Sequence, residues 1–255
     1  VLIGEVWEDG SNKISYSQRR RYLLGRETHG LMNYPFRTAL LSYLQGGDAN
    51  DFREAMETLR ENYPPDAFYS AMNFLGTHDT PRILTLLSAR ETPADKGARA
   101  AYRLLPWERA EGTALLCLAA LVLFSFPGSP MIYYGDEAGM EGFEDPLNRG
   151  TFPWGQEDAT LMSWFSRLGG LRCRHTAWQR GSISWLYTGG PLLAFAREDA
   201  RERLVTVTNA SHDESTLHLP WSGSSCRDLL SGQTFSPQDG ALTLDLPPFG
   251  CLLLQ

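Results

Sequence analysis

At Trp178 the hydrophobic pattern of this chain changes period, and that change restricts the folds open to it more than any other feature. Upstream, short β-prone runs alternate with segments whose apolar residues recur every three or four positions, as in a parallel sheet covered by helices. Downstream, only short β-prone runs remain, spaced roughly ten residues apart and separated by turn formers, as in an antiparallel sheet. The 255 residues are therefore expected to form an α/β part over 1–177 and an all-β antiparallel sandwich over 178–255.

In the first part, strands are expected over 1–6, 31–34, 68–75 and 131–134. A helix over 36–44 follows Pro35. Another over 51–62 carries Phe52, Ala55, Met56 and Leu59 on one face and stops at Pro64-Pro65. Segment 113–126 is apolar all round and ends at Pro127-Gly128, the pattern of a buried helix; it is well short of the ~20 residues that cross a bilayer. The polar insert 88–105 belongs at the surface, with Glu91-Thr92-Pro93 as a helix start. Residues 160–174 place Leu161, Trp164, Phe165, Leu168 and Leu171 on one face. In the second part, strands are expected over 183–187, 192–196, 204–208, 216–219, 242–246 and 249–254. Trp185 and Trp221 fit a core or an interface better than a sugar platform.

Composition excludes several partners. The net charge is −7 and the longest basic cluster is Arg19-Arg20-Arg21, so no extended cationic face exists for nucleic acid or an anionic membrane. Cys117, Cys173, Cys226 and Cys251 lie too far apart for a zinc motif or a disulfide framework. Free, mostly buried thiols, no metal, no cofactor and a cytoplasmic setting are the expectation. The first strand starts at Val1 with nothing ahead of it, so the chain is expected to be the rear part of a larger protein.

A closed barrel of eight β/α units needs about 250 residues for itself. Four units in 1–177 make either an open sheet or half a barrel. In such folds chemistry gathers at the carboxyl ends of the strands. Glu5 follows the first strand, His78-Asp79 the third and Asp136-Glu137 the fourth. Carboxylates from different strands suit glycoside hydrolysis, in which one protonates the leaving oxygen and another stabilises or attacks the sugar cation. Each also has a plainer reading: Glu5 in a salt bridge, His78-Asp79 capping the next helix, and Asp136-Glu137 as a structural loop pair.

Longer strings narrow the choice. Segment 1–9 (VLIGEVWED) resembles the stretch of the α-amylase family, glycoside hydrolase family 13, that carries the general acid/base Glu on barrel strand five. Segment 73–82 (NFLGTHDTPR) is similar to the family's strand-seven stretch with its His-Asp pair. Segments 32–36 (MNYPF) and 128–140 (GSPMIYYGDEAGM) resemble strands six and eight of the neopullulanase, cyclomaltodextrinase and maltogenic amylase branch. The resemblance covers nearly the whole chain and implies the C-terminal half, strands five to eight, of a TIM (β/α)8 barrel followed by the family's β-sandwich.

On that resemblance Glu5 is the proton donor, which calls for a buried carboxyl. Asp79 is the second catalytic carboxylate, binding ring hydroxyls beside His78, and Asp145 and Arg149 hold the next glucose. A local salt bridge would equally account for Asp145 and Arg149. Trp7 and Tyr34 are stacking surfaces for sugar or parts of the core. The implied partner is an α-glucan oligosaccharide or polysaccharide, and the implied parent a retaining hydrolase or transglycosylase of α-1,4-glucosidic bonds. The strand-four nucleophile is missing from these residues, so the chain alone is expected to be inactive. Any calcium would belong to the missing N-terminal half. A non-catalytic amylase-like domain is the alternative, which the joint retention of Glu5, His78 and Asp79 disfavours. The open edges of a half-barrel should self-associate or pair with the missing half.

Overall fold

The computed structural model describes residues 1–25 and 27–255. Its first part is built on β1 (Ile3–Gly4), the hairpin β2 (Ile14–Ser15) and β3 (Gln18–Arg19), and β4 (Gly30–Leu31). Helices α1 (Tyr34–Leu44), α2 (Ala49–Asn62) and α3 (Pro65–Ser70) lead to β5 (Met72–Phe74). Helices α4 (Ile83–Ser88), α5 (Lys96–Ala101) and α6 (Pro106–Ser125) lead to β6 (Ser129–Met131), and α7 (Ala159–Arg174) and α8 (Thr176–Arg180) follow. β1 pairs parallel with β4, a parallel bridge joins Met32 to Met72, and β5 pairs parallel with β6. Four parallel strands thus stand side by side in chain order.

Local chemistry explains most boundaries. The Asn33 side chain caps α1 by accepting from the Phe36 N–H at 3.1 Å, with Pro35 in the first turn. Asp48 caps α2 and Asp158 caps α7 in the same way. At α6, the Glu108 carboxylate reaches back to the Leu105 N–H at 2.8 Å. From Leu118 to Leu123 that helix is buried without a break, as its unbroken apolar sequence requires. Asn73, fully buried, accepts from the Asn33 side-chain amide at 2.9 Å and donates to the Pro127 carbonyl at 2.7 Å. This short ladder ties the segments of β4, β5 and β6 together beneath the site.

Five expected strands are shorter than their patterns: β1 keeps only Ile3–Gly4 of 1–6, and β4 ends at Leu31 because Asn33 caps α1, which takes Tyr34. Pro64-Pro65 starts a helix, so Phe68 lies in α3 and the third strand begins at Met72. β6 stops at Met131, because Tyr133 begins a turn in which it accepts from the Asp136 N–H at 3.0 Å and Gly135 takes a φ of +88°. The last strand begins at Cys251, since Phe249 is left-handed at φ +51°. The expected helix start at Glu91 is also displaced; Asp95 caps α5 instead. Among the cysteines, all free, Cys226 is buried, Cys117 and Cys251 are half-buried with thiols pushed up by burial, and Cys173 is exposed, in line with the expectation of mostly buried thiols at all but Cys173.

The remaining strands are β7 (Ser182–Gly189), β8 (Leu192–Glu198), β9 (Arg203–Asn209), β10 (Ser215–Pro220), β11 (Cys226–Arg227), β12 (Thr234–Phe235), β13 (Ala241–Leu246) and β14 (Cys251–Leu254). They form a four-stranded antiparallel sheet in the order β14-β9-β8-β7 and the antiparallel pairs β10-β13 and β11-β12. The four-stranded sheet is covered on both faces. Leu193, Phe195, Leu204 and Leu253 join the core of the helical part, while Ala194, Ala196, Val205 and Val207 meet Leu217, Leu242 and Leu244 of β10 and β13. Strict alternation sends each set to its own face, which is why β8 reads as a continuous buried run.

Candidate active site

The sequence-selected residues gather beyond the carboxyl ends of the four parallel strands. Glu5 follows β1 and lies exposed, so the burial expected of a proton donor is not met in this structure. Its Oε1 accepts from the Tyr34 hydroxyl at 3.0 Å and from Trp7 Nε1 at 3.2 Å. Trp7 and Tyr34 stack with centroids 4.1 Å apart and planes 18° apart, and Tyr34 meets Phe74 edge-on at 4.8 Å. Tyr34 is 2% exposed while Trp7 is 54% exposed, so Tyr34 is the inner and Trp7 the outer ring of the stack. Burial pushes the Tyr34 phenol up to about 12, and its hydrogen bond to Glu5 and the charges of Glu5 and Asp79 add to the rise. The Tyr34 hydroxyl therefore stays protonated and donates to Glu5 throughout the neutral range.

Asp79 anchors the second group. Its carboxylate lies 3.3 Å from His78 Nε2 and 3.5 Å from Arg149, whose Nε is 2.8 Å from Asp145. The Asp145–Arg149 salt bridge is present, and so is the approach of Arg149 to Asp79; the local pairing and the site geometry coexist. Arg149 Nε also donates to the His78 carbonyl at 3.1 Å. His78 and Asp79 do not cap α4, whose N-cap is Arg82.

Asp136 does not reach the site surface. It is 3% exposed and points inward at Arg82, itself fully buried, so direct contact with a substrate is ruled out for this member of the Asp136-Glu137 pair. Burial pushes its carboxyl up to about 7 against the pull of Arg82. Arg82 also donates to the Tyr134 carbonyl and lies against the rings of Tyr133 and Tyr134 at 4.4 and 4.6 Å. The pattern of residues did not single out Arg82 or Asn148; both are polar, buried and set by contacts from distant segments. Arg82 closes the 73–82 string and Asn148 stands inside the 145–149 motif, and these were the available signals.

Known proteins resemble this chain over nearly its whole length. Residues 186–253 match the maltogenic amylase C-terminal domain. Over 96% of its length the chain is 31% identical to an amylopullulanase of Thermoanaerobacter thermohydrosulfuricus, and over 99% it is 29% identical to a cyclomaltodextrinase of Geobacillus thermopakistaniensis strain MAS1. The chain belongs to the α-amylase family. It spans 17% of that amylopullulanase and 39% of that cyclomaltodextrinase. The structure of Ttha1563 from Thermus thermophilus superposes with a TM-score of 0.79 at 29% identity, covering 99% of this chain and 52% of that one. In this α-amylase-family chain, the segments bearing Glu5, Tyr34, His78-Asp79 and Asp145-Arg149 thus converge at one end of the parallel strands.

Proposed function

We propose that these residues are the C-terminal portion of a retaining α-glucan hydrolase or transglycosylase acting on α-1,4-glucosidic bonds. On this reading 1–177 is strands five to eight of a (β/α)8 barrel and 178–255 is a β-sandwich. The observation that carries it is the order of the four parallel strands, with Glu5 after the first and His78-Asp79 after the third. Glu5 gives its proton to the leaving glycosidic oxygen and later draws one from water. Asp79 and His78 grip the hydroxyls of the reacting ring, and Arg149, held by Asp145, binds the neighbouring glucose. Trp7 offers its exposed face to a sugar ring, and Tyr34 orients Glu5. The names of the relatives, amylopullulanase and cyclomaltodextrinase, support an α-glucan as the substrate.

The family's strand-four nucleophile has no counterpart in these residues, and the glycosyl-enzyme intermediate cannot form without one. The 255-residue chain is therefore expected to release no reducing sugar from maltoheptaose. Release that disappears in Glu5→Gln would overturn this. Val1, Leu2 and Ile3 beside β1, and Ile132 and Tyr134 beyond β6, are exposed at the two outer strands of the parallel set. These edges pair with a second copy or with the rest of the barrel. Sedimentation at micromolar concentration is expected to show association; a monodisperse monomer would contradict it.

A further inference from the structure

The loop that carries His78 and Asp79 is held from outside by the side chains of Asn148 and Arg149, and it is Asn148 that bridges two of its carbonyls. Asn148 sits in a short 3-10 turn, Leu147–Arg149, and is fully buried. Its side-chain amide nitrogen donates to the His78 carbonyl at 2.8 Å and to the Thr80 carbonyl at 2.7 Å. The His78 carbonyl belongs to the peptide plane that enters Asp79 and the Thr80 carbonyl to the plane after Thr80, so the pair of bonds clamps the short segment that carries Asp79 from both ends. Within the loop, the Thr77 N–H donates to Thr80 Oγ1 at 3.0 Å and the Asp79 N–H to Thr77 Oγ1 at 3.2 Å, so local bonds set its shape. Asn148 sets its placement relative to Asp145 and Arg149.

The other end of the same amide speaks against a purely stabilising role. Asn148 Oδ1 is buried without a partner among the described residues. An unsatisfied buried acceptor costs about 1–3 kcal/mol, and each such group in a native structure calls for a reason. Here both N–H groups are spent on the backbone flanking Asp79, and the carbonyl is left over.

We propose that Asn148 is a positioning residue: by gripping the carbonyls of His78 and Thr80 it sets the direction in which Asp79 presents its carboxylate to a glycosyl ring. The ligand side of this inference rests on the glucan-site reading above.

The test uses the 15N-labelled full chain and two variants. Asn148→Leu keeps the branched shape of the side chain and removes both donors. Thr85→Val removes a different buried hydrogen bond, from the Gly142 N–H at 2.8 Å, and serves as the stability control. In the absence of ligand, Asn148→Leu is expected to broaden or double the amide signals of residues 77–80 while the rest of the spectrum stays dispersed; Thr85→Val should leave those signals single. In titrations with maltoheptaose, Asn148→Leu is expected to bind about tenfold more weakly than the wild type, with Thr85→Val within about twofold. Should Asn148→Leu fail to fold, Asn148→Ser, which is too short to bridge both carbonyls, is expected to broaden the 77–80 signals and to bind maltoheptaose more weakly than both the wild type and Thr85→Val. Unchanged 77–80 signals, wild-type affinity, or equal weakening in both variants would overturn the assignment. If the wild-type chain shows no response to maltoheptaose, the glucan-site reading fails, and the amide signals alone decide whether Asn148 holds the loop.

Discussion

Arg82 and Asp136 meet at 3.4 Å across 54 residues of sequence, with neither side chain open to solvent. The other carboxylate oxygen of Asp136 occupies the space a Cβ on Gly76 would need, so the same carboxylate lies close to both ends of the Gly76–Arg82 loop.

The Asp136 carboxyl is expected to make folding pH-dependent. In the folded chain it holds its proton up to about pH 7, whereas its unperturbed value is 3.8. Between those values the native state binds more protons than the unfolded state, so stability falls as pH rises. The contribution is complete below the unfolded value and is lost as pH climbs through about 7. Arg82, Glu137 and Arg37 are the charged groups that face it. Urea unfolding of wild type and Asp136→Asn across this range should show the wild type losing ground to the variant as pH rises; parallel curves would refute it.

Gly76 is expected to tolerate no side chain. A Cβ there would overlap Asp136 Oδ2, and that carboxylate is enclosed. Gly76→Ala should cost about 1–3 kcal/mol in chemical denaturation. In an Asp136→Ala background the same change should cost much less, since the obstructing oxygen is gone.

Arg197 is a buried cation bound, among the described residues, only to carbonyls. Its Nη1 donates to Ser125 at 2.7 Å, and its Nε and Nη2 donate to Gly181 at 3.2 and 2.8 Å. Burial pushes its guanidinium down to about 9. Arg197→Leu leaves both acceptors unpaired and is expected to lower stability by about 2–4 kcal/mol. Arg197→Lys should recover less than half of this, because a single ammonium cannot reproduce the fork. Thermal unfolding of the two variants checks the order.

Trp185 joins the sheet to α2 through a 2.7 Å bond from its Nε1 to Glu57 Oε1. A double-mutant cycle with Glu57→Ala and Trp185→Phe is expected to give a coupling of about 0.5–1.5 kcal/mol. Additive losses would show that the contact contributes nothing of its own.

Much of this architecture is local and was readable. The apolar faces of α2 and α7 and the period-two runs of β9 and β13 follow from residue spacing, as do helix stops at prolines. The strand ends at Phe68, Tyr134 and Phe249 were misread for an equally local reason. Apolar, β-prone residues there obey a proline helix start, a glycine turn and a left-handed backbone instead. Of the site, Glu5, Tyr34, His78, Asp79, Asp145 and Arg149 could be named because their strings have recognisable spacing. Their burial could not, and Glu5 proved exposed where a buried acid was expected.

By itself the sequence determined the longer elements, α2, α6, α7 and the strands β7 to β10 and β13, the switch to an antiparallel sheet just after Trp178 and the family, since these depend on periodicity and on short motifs; α3, α8, the β2–β3 hairpin and the β11–β12 pair were not legible. Tertiary structure alone decided that Asp136 lies under Gly76, that Asn148 grips the backbone around Asp79, and that the Tyr34 hydroxyl faces Glu5. Those contacts join segments 29 to 70 residues apart. A polar residue's role there is set by which backbone groups fold back to meet it and by the exclusion of water, neither of which is written in its neighbours along the chain.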